Sequence, residues 1–209
     1  MSEVRVAFCD ETDFGFGWIA AEPPLLQRAS HALAADGKVW LVDPVEGPGA
    51  EERVRALGEP AGVLQLVDRH PRDCAVLAER LGAPHLRLPF GGVPGSPFEV
   101  RKVLNVPGWR EVALWWEAER VLVCTEALGT VPYFRAPGEP LGVHPFLRLY
   151  QPRALRDMAR GLTPGHLLVG HGEGIHGDEA APALRRAVGG ARRATPGWLR
   201  DQLRRRKDR

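Results

Sequence analysis

The spacing of hydrophobic and polar positions changes several times along the chain, and the changes predict alternating strands and helices. Residues 62–67 are almost continuously apolar, which is typical of a strand covered on both faces. Residues 71–82 place apolar side chains at helical spacing, with a proline in the first turn and Gly82 as the stop. An Asp-Gly pair at 36–37 between two apolar runs, 30–34 and 38–43, predicts a β-hairpin.

The remaining elements alternate in the same way. We predict strands at 4–9, 111–116, 120–124 and 166–169, and helices at 152–162, 178–188 and 196–206. Residues 131–145 are rich in proline and glycine and predict an irregular excursion over the surface. Strands that alternate with helices, together with β-hairpins, imply a mixed sheet system covered by helices.

Composition limits the class of protein. The 209 residues are 44% hydrophobic and 26% charged, as expected for a soluble domain. We predict one domain over 1–190 and a basic C-terminal helix or tail over 191–209. No apolar run approaches the roughly 20 residues of a membrane span, and the N-terminus lacks a signal-peptide pattern. Three widely spaced cysteines indicate reduced thiols, so we expect a cytoplasmic protein without membrane contact.

Basic residues gather at the end of the chain. From position 185 onward ten residues are Arg or Lys, opposed only by Asp201 and Asp208. Such a tail can bind nucleic acid. We favour a solvated helix docked by Trp198, Leu199 and Leu203, because no aromatic residues interleave with the terminal arginines. Nucleic acid remains the alternative partner of this segment.

Chemistry-bearing residues lie beside the predicted strands in four short segments. They read Asp68-Arg69-His70-Pro71-Arg72-Asp73, Pro107-Gly108-Trp109, Thr125-Glu126 and Gly170-His171-Gly172. In this order they resemble the motifs of the metallo-β-lactamase-fold hydrolases, which read His-x-His-x-Asp-His, Pro-Gly-His, Gly-Asp and Gly-His. The resemblance extends over about residues 30–188 and implies an α/β (α+β) fold, a four-layer αββα sandwich.

The resemblance also implies a metal pair held by imidazoles and carboxylates, but only His70 and His171 are unchanged here. Asp68 stands at the first His, Asp73 at the last His and Glu126 at the bridging Asp of the motif. The metal ligands implied for this chain are Asp68, His70, Asp73, Glu126 and His171.

Two substitutions act against a metal pair. Arg72 stands where the motif has Asp, and a guanidinium stays charged and cannot bind a cation. Trp109 replaces the His after Pro-Gly, and its indole offers an N–H but no lone pair. We therefore favour a cleft in which Arg72 pairs with Asp68, Asp73 or Glu126 and no cofactor is bound. In the alternative Arg72 turns away, and the remaining ligands hold a single divalent metal, zinc, manganese or iron.

Other reactive side chains lie near these segments. His176 follows His171 in a glycine-rich loop and is expected to be an exposed histidine, with a metal or anion loop as the alternative. His144 belongs to the 131–145 excursion and is expected at the surface, with a ligand contact as the alternative. Cys74 and Cys124 are expected to be small buried hydrophobes rather than nucleophiles.

Three hypotheses of function follow. The leading one is a metallo-β-lactamase-fold protein with a degenerate metal site, which lacks the usual dinuclear zinc hydrolysis and binds an unidentified small molecule or partner in the cleft. The first alternative is a hydrolase of an ester, thioester or phosphoester that uses one unconventional metal. The second is an accessory nucleic-acid-binding protein that uses the basic C-terminus. The sequence is also compatible with a homo-oligomer.

Overall fold

The computed structural model describes residues 5–20 and 26–207. Val4, at the start of the predicted first strand, and the tail residues Asp208 and Arg209 lie outside these ranges. Two mixed β-sheets stack face to face, and helices cover the outer face of each.

The first sheet contains six strands in sequential order. They are β1 (Val6–Thr12), β2 (Gly15–Ala20), β3 (Ala29–Ala35), β4 (Lys38–Val42), β5 (Glu59–Gln65) and β6 (His85–Arg87). Strands β1 to β4 pair antiparallel, whereas β4, β5 and β6 are parallel. The parallel connections carry helices α1 (Ala50–Leu57) and α2 (Cys74–Leu81).

The second sheet is shorter and holds five strands. These are β7 (Glu99–Val106), β8 (Trp109–Trp116), β9 (Val121–Val123), β12 (His166–Leu168) and β13 (Ile175–His176), in the order β13-β12-β9-β8-β7. Strands β10 (Leu128–Gly129) and β11 (Gly142–Val143) form a separate two-stranded ribbon. Helices α3 (Arg153–Gly161) and α4 (Ala180–Lys207) complete the chain.

Three apolar clusters lie between these layers. One contains Val54, Val63 and Ala78, and packs α1 and α2 on the first sheet. A second, which includes Leu64 and Leu114, fills the space between the two sheets. The third joins the second sheet to α3 and α4. The order helix, sheet, sheet, helix confirms the predicted αββα sandwich, since each apolar face is buried against the next layer.

Local turn chemistry explains two of the element boundaries. Asp36 and Gly37 have φ values of 51° and 75°, as a two-residue hairpin turn between β3 and β4 requires. Gly82 ends α2 in the left-handed conformation at φ 67°, as predicted. The predicted start of α2 at residue 71 is wrong, because residues 71–73 remain in the loop that follows β5 and the helix begins at Cys74.

Helix α4 is longer than predicted. The helices expected at 178–188 and 196–206 form one continuous helix that contains Pro196. Trp198 Nε1 donates to the Tyr133 carbonyl and so contacts the rest of the chain. Leu199 and Leu203 are about half exposed, so the predicted docking role of these two leucines is wrong. The division at residue 190 and the binding of nucleic acid by the basic end stay predictions. No helix within the described ranges has the length and apolar character needed to cross a membrane.

Arg148 joins the 131–145 excursion to α4. Its side chain is 1% exposed, and it donates to the Phe134 carbonyl, to Glu139 Oε2 at 2.8 Å and to the Ala191 carbonyl at 3.4 Å. We expect Arg148→Met to lower the free energy of unfolding by roughly 3 kcal/mol, because it leaves these acceptors without their donor. Urea denaturation measures the loss. Arg153→Met, at an exposed arginine, serves as the control, and equal stability of the two variants would contradict the assignment.

Candidate metal centre

Loops at one edge of the sandwich bring the predicted segments together. His70 lies in the loop that follows β5, and Asp43 follows the neighbouring parallel strand β4. Glu126 and His171 follow β9 and β12, which are parallel neighbours in the other sheet. The carboxyl ends of parallel strands meet at the same edge, which is where open α/β sheets hold their ligands.

Three side chains meet at this edge. Glu126 Oε2 lies 2.8 Å from His70 Nε2 and 3.0 Å from His171 Nε2. All three residues are buried. Within the described ranges, they are the one group of three or more His, Cys, Asp or Glu residues whose ligand atoms lie within 4.8 Å of one another.

The hydrogen-bond partner of Nδ1 determines which ring nitrogen of each histidine carries the proton. His171 Nδ1 lies 2.7 Å from the Leu26 carbonyl oxygen, which can only accept, so Nδ1 must carry the hydrogen. His70 Nδ1 lies 3.0 Å from Asp43 Oδ2, and this carboxylate also accepts the Leu66 amide at Oδ1. In the neutral rings both Nε2 lone pairs therefore point at Glu126. Metal-binding histidines are oriented by such outer acceptors.

The donor set fits a divalent cation. A neutral Nε2 and a carboxylate oxygen both offer lone pairs, so a contact of 3.0 Å between them needs a proton or a cation to be favourable. Two imidazoles and one carboxylate are ligands that catalytic zinc and non-haem iron use. His70, Glu126 and His171 therefore have the chemistry and the orientation to hold one metal ion.

Protonation affects the two histidines differently. Burial lowers the pKa of His171, so a proton is not readily held at its contact with Glu126. Burial and the charge of Arg72 also disfavour protonated His70, but hydrogen bonds to Asp43 and Glu126 outweigh them and raise its pKa. Burial alone would raise the pKa of Glu126, yet its bonds with His171 and His70 hold that pKa well below the usual range.

Arg72 takes a position that the sequence did not predict. Its Nη1 donates to the carbonyls of Ala29 and Asp43, and its Nη2 to the Gly170 carbonyl at 2.9 Å. The predicted ion pairs of Arg72 with Asp68, Asp73 or Glu126 are therefore replaced by hydrogen bonds to main-chain oxygens. Ala29 begins β3, whereas Asp43 and Gly170 lie in the loops after β4 and β12, so the guanidinium connects three separate segments of the chain.

The other predicted site residues are engaged elsewhere. Asp68 Oδ2 faces Arg110 Nε at 3.5 Å, and Asp73 Oδ2 accepts the Glu46 amide at 2.8 Å. Neither carboxylate belongs to the group formed with Glu126. Trp109 is buried and its indole donates to a carboxylate rather than lining an open cleft.

Arg69, and not Arg72 as predicted, provides the positive charge that pairs with Glu126. Arg69 Nη2 lies 3.1 Å from Glu126 Oε1, and its guanidinium stacks 4.2 Å above the Trp109 ring. The side chain is 37% exposed, so one face of the charge remains accessible from solvent. The sequence motif gave no signal for this role, because the family pattern leaves that position free.

His144 is buried rather than exposed, so its predicted surface position is wrong. Its ring packs 4.6 Å from Trp109 and 5.6 Å from Phe134, and Nε2 lies 3.5 Å from Glu126 Oε1. Nδ1 accepts the Phe146 amide, which leaves the proton of the neutral ring on Nε2. Burial lowers the pKa of His144 to about 4. His144 is thus a neutral hydrogen-bond donor beside the triad rather than a fourth ligand. His176, in contrast, is exposed, and Cys74 and Cys124 are buried, as expected.

Glu111 is a site residue that the sequence analysis missed. It is fully buried on β8, and burial raises its pKa to about 7. Its Oε1 accepts the amides of Glu126 at 2.9 Å and Ala127 at 3.0 Å, and its Oε2 accepts the Trp109 indole at 3.0 Å. In the sequence, the one indication of this role was a carboxylate among the apolar residues of β8. Glu111 fixes the loop that presents Glu126.

Comparisons with known proteins agree with this architecture. No family model matches the chain, and no curated protein does. Among solved structures, DIM-1 metallo-β-lactamase is similar at a TM-score of 0.56 and 12% identity, over 90% of this chain and 100% of that one. TMB-1 is similar at a TM-score of 0.53 and 10% sequence identity, over 91% of this chain and 99% of that one. A metallo-β-lactamase from Pontibacter korlensis is similar at a TM-score of 0.56 and 8% sequence identity, over 88% of this chain and 99% of that one. At these identities the likeness concerns the fold: the chain has the metallo-β-lactamase fold.

Proposed function

We propose that the chain binds one divalent metal ion through His70 Nε2, His171 Nε2 and the Glu126 carboxylate, and hydrolyses an ester, thioester or phosphoester with it. The observation that carries the proposal is the orientation of the two imidazoles. Asp43 and the Leu26 carbonyl engage both Nδ1 atoms, so both Nε2 atoms face the same carboxylate oxygen.

The number of metal ions follows from the substituted positions. Arg72 places a permanent positive charge close enough to act on the pKa of both His70 and His171, which opposes a second cation there. Trp109 has no lone pair, and Asp73 is bonded to the Glu46 amide. A mononuclear centre therefore suits these residues better than the dinuclear one implied by the resemblance.

The surrounding residues have separable roles in the proposed reaction. A metal in this triad would polarise a carbonyl or phosphoryl oxygen and lower the pKa of water. Asp43 holds the tautomer and orientation of His70. Arg69 offers a partly exposed guanidinium to an anionic substrate or to developing negative charge. His144 Nε2–H is a neutral donor from which a leaving group could take a hydrogen bond.

Metal removal tests the proposal. Protein purified without chelator is analysed for metal and then screened against nitrophenyl esters, a thioester and a phosphodiester, before and after chelation. We expect close to one equivalent of zinc, manganese or iron at the triad, with hydrolysis that is lost on chelation and restored by that metal. Hydrolysis that chelation leaves unchanged, or folded protein that takes up no metal at the triad, would contradict the proposal.

A second candidate is ligand binding without hydrolysis, as in our leading sequence hypothesis. The observation that favours it is the ion pair of Arg69 with Glu126, which compensates the carboxylate without a metal. A protonated His70 between Asp43 and Glu126 would complete such a network. Thermal unfolding with and without a chelator also separates the two candidates, because only the first predicts a loss of stability when metal is removed from the triad.

A further inference from the structure

A second pair of histidines faces across the edge of the smaller sheet, away from the triad. His166 and His176 are directly opposite partners in the β12–β13 ladder. Their Nδ1 atoms are 2.8 Å apart, and the rings meet at 61° with centroids separated by 5.1 Å. His176 is exposed, so ions in solution can reach the pair.

A buried carboxylate holds one ring of this pair in place. Asp10 Oδ1 accepts His176 Nε2–H at 2.9 Å and the Gly174 amide at 2.9 Å. The Asp10 side chain is only 3% exposed and is therefore a fixed anchor. Because Nε2 donates to Asp10, the neutral His176 ring presents its Nδ1 lone pair to His166. This is the carboxylate–histidine arrangement that orients metal ligands.

We propose that His166 Nδ1 and His176 Nδ1 form a second transition-metal site, for Cu²⁺ or Ni²⁺. Two nitrogens that each lie 2.0–2.1 Å from an ion at a right angle are about 2.9 Å apart, close to the spacing observed here. Right-angle bonds between imidazoles belong to square-planar or tetragonal geometry, which copper and nickel prefer. On binding, the hydrogen between the two Nδ1 atoms, which belongs to the neutral His166 ring, moves through solvent to His166 Nε2, so both Nδ1 lone pairs can face the ion.

The neighbours of the pair are compatible with a cation. The ring of Phe14 packs edge-on against His166 at 5.1 Å and fixes its plane. Glu119 is exposed on the β8–β9 turn, and its negative charge acts on His166 in the direction that favours a cation. The charge of Arg120 opposes the ion, but its guanidinium donates twice to the Thr163 carbonyl and is held there. No residue of this site belongs to the His70, Glu126 and His171 triad, so the inference does not rest on the proposed function.

Copper titration of the full chain tests the site. The His171→Ala variant serves as background, because it disables the triad. We expect one Cu²⁺ per chain in this background, with an electron paramagnetic resonance spectrum that shows nitrogen couplings from the imidazole pair. Adding His166→Ala is expected to weaken copper binding by more than about 100-fold and to remove this signature. His85→Ala, at an exposed histidine on β6, is the matched control.

Two further variants guard against a folding artefact, which circular dichroism monitors. His176→Gln, at an exposed position, is expected to act like His166→Ala. Asp10→Asn keeps both rings and is expected to weaken copper binding by about 10- to 100-fold. Equal copper affinity and an identical spectrum with and without His166 would overturn the proposal, whatever the metal content of the triad.

Discussion

Replacing His171 by alanine is expected to lower the affinity for zinc at the triad by more than about 100-fold. Outer-shell substitutions alone cost about 10- to 100-fold, and this variant removes a ligand. The remaining His70 and Glu126 would offer two ligands, whereas catalytic zinc uses three protein ligands. Competition with a fluorescent zinc chelator measures the affinity.

His85→Ala is the matched control for this prediction, because it also deletes a histidine but at an exposed position on β6. Its zinc affinity is expected to equal that of the wild type. A His171→Ala protein that remains folded and keeps wild-type zinc affinity would remove His171 from the centre, and with it the proposed mononuclear site.

Replacing Glu111 by alanine is expected to lower the free energy of unfolding by about 3 kcal/mol. The same variant is expected to bind zinc more weakly. The substitution leaves the amides of Glu126 and Ala127 and the Trp109 indole without their acceptor in a buried region. It also removes buried side-chain volume. The loop that carries Glu126 then loses the group that fixes it.

The chain offers a close control for Glu111. Glu117 accepts the indole of Trp115 two residues earlier, as Glu111 accepts that of Trp109, but Glu117 is exposed. Glu117→Ala is expected to change stability by less than about 1 kcal/mol, because water can replace the lost acceptor. Urea denaturation of both variants measures the difference. Similar losses in the two variants would show that Glu111 has no special structural role.

The sequence predicted the layers better than the contacts inside the site. Hydrophobic periodicity and turn residues such as Asp36, Gly37 and Gly82 act locally, so they marked hairpins and helix ends before any tertiary information was available. The αββα arrangement came from the order of the motifs. The junction between the two predicted C-terminal helices was missed, because Pro196 and nearby glycines are normally breakers and tertiary packing of the helix overrode them.

Within the site, motif position indicated residue type but not side-chain direction. His70, Glu126 and His171 converge as their motif positions imply. Arg72 does not, because its backbone has a positive φ of 40° and its guanidinium reaches the carbonyls of Ala29 in β3 and Gly170 after β12, which are distant in sequence. Every residue carries a main-chain carbonyl, so the sequence does not show which carbonyls accept a hydrogen bond. For this reason the sequence pointed to carboxylate partners for this arginine.

Anomalous X-ray diffraction, recorded at the absorption edge of the bound metal from crystals of protein purified without chelator, tests the central claim most directly. We predict a strong peak coordinated by His70 Nε2, His171 Nε2 and Glu126, with no second peak beside Arg72. A well-ordered triad with no anomalous peak, or a peak confined to His166 and His176, would contradict the proposed mononuclear centre.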